Sequence, residues 1–185
     1  NTKYIIIPDS SVQQSIVQTN PDALGSAWLV KSIRYVPTPA AEMKALDYFD
    51  PLQEAIVQEK YKTGIPFAPA WDSAGVIKLE NNDNDIVTYT FSASSNQFAV
   101  FSEVYYEKGW KAFIDGKEAP IVKTNYVLRG LAIPAGQHKI EFRFEPASYI
   151  MGRRITSISQ IILLVLFGIG IFMEIRKRDT IPNNA

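Results

Sequence analysis

The chain has no cysteine. A disulfide framework and a thiolate metal site are therefore both excluded. It also lacks net charge, since 19 Lys and Arg residues balance 19 Asp and Glu. A nucleic-acid-binding face needs a concentrated basic surplus, so the charge balance gives no argument for that class and no nucleic-acid partner is expected. Histidine is almost missing, with His138 the single example in the sequence. A Ser-His-Asp triad would have to use it, yet no Gly-x-Ser-x-Gly elbow accompanies it. Beside a turn, His138 reads as a surface residue. No Gly-rich loop is present to cradle a phosphate. No repeat and no low-complexity linker interrupts the chain, and no cofactor is expected in it.

One long run lacks charge in a different sense. From Ile155 to Met173 no Asp, Glu, Lys or Arg occurs, and twelve of these 19 positions are Ile, Leu, Val or Phe. As a helix this run spans roughly 28 Å, close to the hydrocarbon thickness of a bilayer. A buried helix of a soluble domain rarely stays apolar on every face for five turns. The reading is a transmembrane helix over 151–175, with the lipid bilayer as partner and a short tail, 176–185, on the cytoplasmic side. Arg153 and Arg154 precede the run, and Arg176, Lys177 and Arg178 follow it. The charge rule for membrane topology favours a cytoplasmic C-terminus by a small margin and places residues 1–150 outside. The opening Lys3-Tyr4-Ile5-Ile6-Ile7-Pro8 resembles a strand already under way, with no signal peptide before it. The expectation is a piece of a longer chain.

The rest reads as mainly β. Val87-Thr88-Tyr89-Thr90-Phe91-Ser92 alternates apolar and polar residues and predicts a half-buried strand. Phe98 to Phe101 predicts a more buried one. Trp110 to Ile114 runs into Asp115-Gly116, a hairpin-turn signal. Glu118 to Lys123 returns from it, with Pro120 marking an edge or an irregularity. Tyr126 to Ile133 and Lys139 to Glu145 complete the series, joined by Pro134-Ala135-Gly136. Such spacing predicts an antiparallel β-sandwich over 63–150. The N-terminal segment, 1–62, is mixed α/β and is expected to pack on the sandwich. Ala27 to Val36 and Ala55 to Glu59 read as strands. Thr38 caps a helix that begins at Pro39 and runs to about Phe49. Residues 62–85 are the loosest stretch.

Few residues carry a chemical signal. Asn81 to Asp85 resembles the start of a calcium loop but lacks the Gly and the bidentate Glu at the spacing such a loop needs. It reads as an exposed turn. Asp115 is explained by its turn. Tyr105, Tyr106, Trp110 and Tyr126 cluster around the Glu107-Lys108-Gly109 turn; they are either core residues or aromatic faces for stacking on sugar rings. Arg153 and Arg154 are either interfacial anchors or contacts for a lipid phosphate. No catalytic residue and no metal ligand emerges.

Several stretches resemble the C-terminal part of the YfhO family of bacterial membrane proteins. They are Tyr105-Tyr106-Glu107-Lys108-Gly109-Trp110 with Asp115-Gly116, Asn125-Tyr126-Val127-Leu128-Arg129-Gly130, Pro134-Ala135-Gly136-Gln137-His138 and Glu141-Phe142-Arg143-Phe144-Glu145-Pro146. Upstream, Asn20-Pro21-Asp22-Ala23-Leu24-Gly25-Ser26-Ala27-Trp28 is similar as well. The resemblance implies a polytopic protein of the cytoplasmic membrane, with N-terminal transmembrane helices of the same protein preceding this region as partners, similar to glycosyltransferases of the GT-C class. These take sugars from polyprenyl-phosphate carriers on the outer face of the membrane, and some members of the YfhO family are linked to sugar decoration of cell-envelope polymers. It implies that the catalytic acid lies outside this chain. Residues 1–150 would then cap the catalytic part or contact glycan or lipid-linked sugar. Two other classes remain open: an assembly module of the envelope, and the lid of a lipid-linked sugar transporter.

Overall fold

A computed structural model describes residues 3–9 and 14–179. The chain divides into two units, one ending at Phe144 and one beginning at Glu145. Thr180 to Ala185, the greater part of the expected cytoplasmic tail, lies outside the described residues.

Among its described residues the first unit holds thirteen strands, one short α-helix and two 3-10 turns. β1 (Tyr4–Asp9) and β2 (Gln14–Thr19) pair as an antiparallel two-stranded sheet. β3 (Ala27–Val30) and β4 (Ser32–Val36) follow, then α1 (Pro39–Ala45) and β5 (Glu54–Gln58). Next come β6 (Val76–Asn82), β7 (Ile86–Ala93), β8 (Gln97–Val104), β9 (Trp110–Ile114) and β10 (Lys117–Ala119). β11 (Val122–Thr124), β12 (Leu128–Ile133) and β13 (Gly136–Phe144) complete it. One larger sheet has the order β10-β9-β13-β7-β6 and the other β3-β8-β12-β11-β5-β4. All ladders are antiparallel except β4 with β5. The expected β-sandwich is therefore present, and strands from both sides of position 62 belong to it.

Period-two alternation explains the core. Tyr89 and Phe91 of β7, and Ile140 and Phe142 of β13, face Ala99, Phe101, Leu131 and Ile133 of the other sheet. The alternate residues Phe98 and Val100 point into a second cluster with Trp28, Val30, Ala55, Val57 and Val122. β8 is thus buried on both faces, which is why its sequence reads as a continuous apolar run. The predicted strand Ala27 to Val36 breaks at Lys31. Its halves form the two opposite edges of the six-stranded sheet, so that sheet curls around the second cluster.

Local signals set the turns. Thr38 accepts the Ala41 N–H at 3.1 Å and Pro39 opens α1, as the cap predicts. Asp115 and Gly116 both adopt positive φ, 49° and 79°, between β9 and β10. Pro120 marks a crossing rather than a frayed edge. The expected return strand Glu118 to Lys123 divides there, β10 joining one sheet and β11 the other. β6 occupies part of the stretch that looked loosest. It pairs with β7 through a turn over Asp83 to Asp85, so of the run Asn81 to Asp85 that resembles a calcium loop the first two residues belong to β6 and only the rest form the turn.

The second unit is α2 (Ala147–Asp179). Its residues Ala147–Met173 are long and apolar enough to cross a membrane. Described side chains from Ile155 to Met173 are exposed, as lipid contact requires of a spanning helix.

Candidate functional site

Three of the four aromatics singled out in the sequence meet. Tyr105, Tyr106 and Trp110 line a cavity of about 160 Å³ with Glu107, Lys111 and Glu118. Tyr126 is not among the lining residues. It sits in the β11–β12 turn with φ 68° beneath the ammonium of Lys123, 4.8 Å from its ring centre. Tyr106 is exposed, whereas Trp110 is partly buried and packs against the inter-sheet core. Tyr105 meets Tyr61 edge-on at 6.0 Å, and burial pushes its hydroxyl pKa up to about 12. It therefore remains a hydrogen-bond donor at neutral pH.

Beneath Trp110 lies a group that sequence reading did not find. The Arg129 guanidinium stands 4.2 Å from the Trp110 ring centre and 5.4 Å from that of Phe142. It donates to the Val104 carbonyl at 3.0 Å and pairs with Glu103 at 2.6 Å. Tyr89 donates to the other Glu103 oxygen at 2.9 Å. Burial lowers the Arg129 pKa from its usual value and raises that of Tyr89. The network ties both sheets together and fixes the Trp110 ring from below. The sequence contained one signal for it, the lone Arg129 in an otherwise apolar strand.

Asp115 and His138 also prove to be partners. His138 Nδ1 lies 2.6 Å from Asp115 Oδ2, and Asp115 Oδ1 accepts the Lys139 N–H at 2.9 Å. The His138 contact and the Lys139 N–H hold the Asp115 carboxyl below the usual carboxylate range. The second imidazole nitrogen faces the Ala135 carbonyl at 3.3 Å, and the ring stacks on Phe91. Both nitrogens are thus occupied by the β9–β10 and β12–β13 turns, so the pair braces those turns. Among the described residues no cluster of three or more His, Cys, Asp or Glu is placed to hold a metal.

Arg153 and Arg154 lie on α2, exposed, immediately before its uncharged run. This is the position for interfacial anchoring of a spanning helix.

Residues 55–156 match the sequence profile of the family described as bacterial membrane protein YfhO. The chain belongs to the YfhO family. It is 29% identical over 124 residues to a Bacillus subtilis (strain 168) protein named "Uncharacterized protein YfhO". That alignment covers 67% of this chain but 13% of the relative. No solved structure matches the fold. The YfhO match takes in β5 to β13 and the start of α2, so the aromatic cavity, the Arg129 network and the first turns of the apolar helix lie within it. Family membership and the apolar helix together make this a membrane protein.

Proposed function

We propose that this YfhO chain is the C-terminal extracytoplasmic domain and last membrane helix of a glycosyltransferase that uses a polyprenyl-phosphate sugar to modify envelope glycans. In this reading the protein is a multi-pass component of the bacterial cytoplasmic membrane, with residues 1–150 outside and the C-terminus in the cytoplasm. The portion seen here contacts glycan and performs no transfer itself. The observation that carries the reading is the cavity of Tyr105, Tyr106 and Trp110, with Trp110 held rigid over Arg129. Fixed aromatic faces beside polar groups suit sugar rings, because the ring surface is apolar and the hydroxyl edge is not.

The test uses the full-length protein in membranes with a radiolabelled polyprenyl-phosphate sugar. Tyr106→Ala is the informative variant, since Tyr106 is 53% exposed and its loss leaves the core intact. Transfer by the wild type and a reduced rate in the variant are expected. Transfer unaffected by Tyr106→Ala would make this domain structural, and no transfer by the wild type would remove the enzyme reading.

One observation favours the assembly-module reading. The β1–β2 hairpin exposes Tyr4, Ile6 and Val17 on one face and Ile5, Ile7 and Ile16 on the other. Isolated two-stranded sheets are marginal in water, so such faces suit burial against further protein.

A further inference from the structure

A larger groove lies apart from the aromatic cavity. It has a volume of about 430 Å³ and runs along β4 and the segment Ile65 to Pro69. Lys31 and Lys62 are its charged lining residues, and no Asp or Glu contributes to it. Among the described residues neither lysine makes an ion pair. Each ammonium instead rests on an aromatic ring. Lys31 Nζ lies 5.1 Å from the Trp71 ring centre and Lys62 Nζ 5.3 Å from that of Tyr35. Such contacts hold a lysine in place without neutralising it.

From this arrangement we infer that the groove is a binding site for a small phosphate ester. Two uncompensated ammonium groups match the two charges of a phosphate monoester, and lysine serves phosphate as a point charge. Burial raises the Tyr35 hydroxyl pKa, so the hydroxyl stays a donor on the same wall. Ile33, Pro66 and Phe67 supply apolar surface for the organic part of the ester. The volume falls within the range of small-molecule sites and is too small for a polymer segment of several units. The ester has two sources in a membrane protein, a lipid headgroup and a soluble metabolite. The inference is independent of the glycosyltransferase reading, because it requires no sugar transfer.

The experiment titrates glycerol 3-phosphate, with glycerol as the uncharged control, into the chain held in nanodiscs of neutral phosphatidylcholine. Calorimetry reads the affinity. Saturable binding of the phosphate ester and none of glycerol is expected. Lys31→Gln/Lys62→Gln should weaken it about tenfold or more, since each charge-assisted contact is lost. Lys78→Gln/Lys139→Gln removes the same charge beside Thr90 on the five-stranded sheet and should leave the affinity unchanged. Nanodiscs containing phosphatidylglycerol then separate the sources. Competition by the anionic lipid assigns the site to a headgroup, and undiminished binding assigns it to a soluble ester; either supports the inference. Absence of saturable binding to the wild type overturns it. So does equal binding by the Lys31/Lys62 variant, or an equal loss in the Lys78/Lys139 control. Thermal unfolding of each variant checks that the fold is retained.

Discussion

Glu42 is a carboxylate with no exposed surface. It projects from α1 and accepts the Tyr126 backbone N–H at 2.8 Å and the Gln58 side-chain amide at 2.6 Å. Tyr126 and its neighbour Asn125 both hold positive φ, and Asn125 Oδ1 accepts the Ile56 N–H. One acidic side chain thus stabilises a left-handed turn and the end of β5 together. Glu42→Ala would leave two buried donors unpaired, each costing about 1–3 kcal/mol. The expected loss of stability is therefore about 2–6 kcal/mol, read from urea unfolding in neutral detergent. Glu42→Gln keeps an acceptor for Tyr126 and should lose less. If Glu42→Ala unfolds with the wild type, the carboxylate does not hold the turn. Nothing in the sequence announces this role. Glu42 sits in the first turn of a helix, where an acid is ordinarily a solvated partner of the helix dipole. Its partners Gln58 and Tyr126 lie 16 and 84 positions away, which no local pattern encodes. Arg129 is marked locally by its lone charge in an apolar strand, but its partners Glu103 and Trp110 lie on other strands and no local pattern names them.

Elements were more legible than single residues where alternation or a cap marked them. β7 and β13 could be read because one face of each is dry and the other wet, and α1 because Thr38 and Pro39 define its start. β6 was missed because its side chains are nearly all exposed, so it shows no alternation to read. The crossing at Pro120 could be sensed as an irregularity but not as a change of sheet, since both halves of that segment have strand character. The segment that follows the groove depends on side chains instead. Asp72 accepts the Ser94 N–H at 2.6 Å, the Ser94 hydroxyl at 2.7 Å and the Ala74 N–H at 2.9 Å. These bonds, chiefly from Ser94, hold the Asp72 carboxyl below the usual carboxylate range. A carboxylate depressed by folding contributes stability above its unfolded value, about 4, and the contribution is lost as pH falls through the folded value. Asp72→Asn should therefore lower the melting temperature at neutral pH, with the gap to the wild type closing as pH drops from about 4 toward 3. Other acids titrate in both proteins and cancel in the difference. A gap that stays constant down to pH 3 would show that the Asp72 charge does not secure the segment. Trp71, on which Lys31 rests, is the residue directly before Asp72.

At the scale of the whole molecule, the sequence separates two solvents. Both hydrophobic clusters belong to residues before Glu145, and the apolar run belongs to α2. None of the membrane-crossing part of α2 is buried. Ending the chain at Glu145 should leave the unfolding midpoint of the first unit unchanged while abolishing resistance to alkaline extraction from membranes. The exposed faces of β1 and β2 persist in such a fragment, and at high concentration they favour self-association. Ile6→Thr with Val17→Thr, which face each other across the hairpin, should suppress that association without moving the midpoint, because neither side chain belongs to either cluster. Sedimentation velocity reads the association and tryptophan fluorescence the midpoint. A fragment that loses its folded signal at every concentration would show that the β unit requires the membrane helix to fold. A fragment that stays folded would confine the role of α2 to attachment.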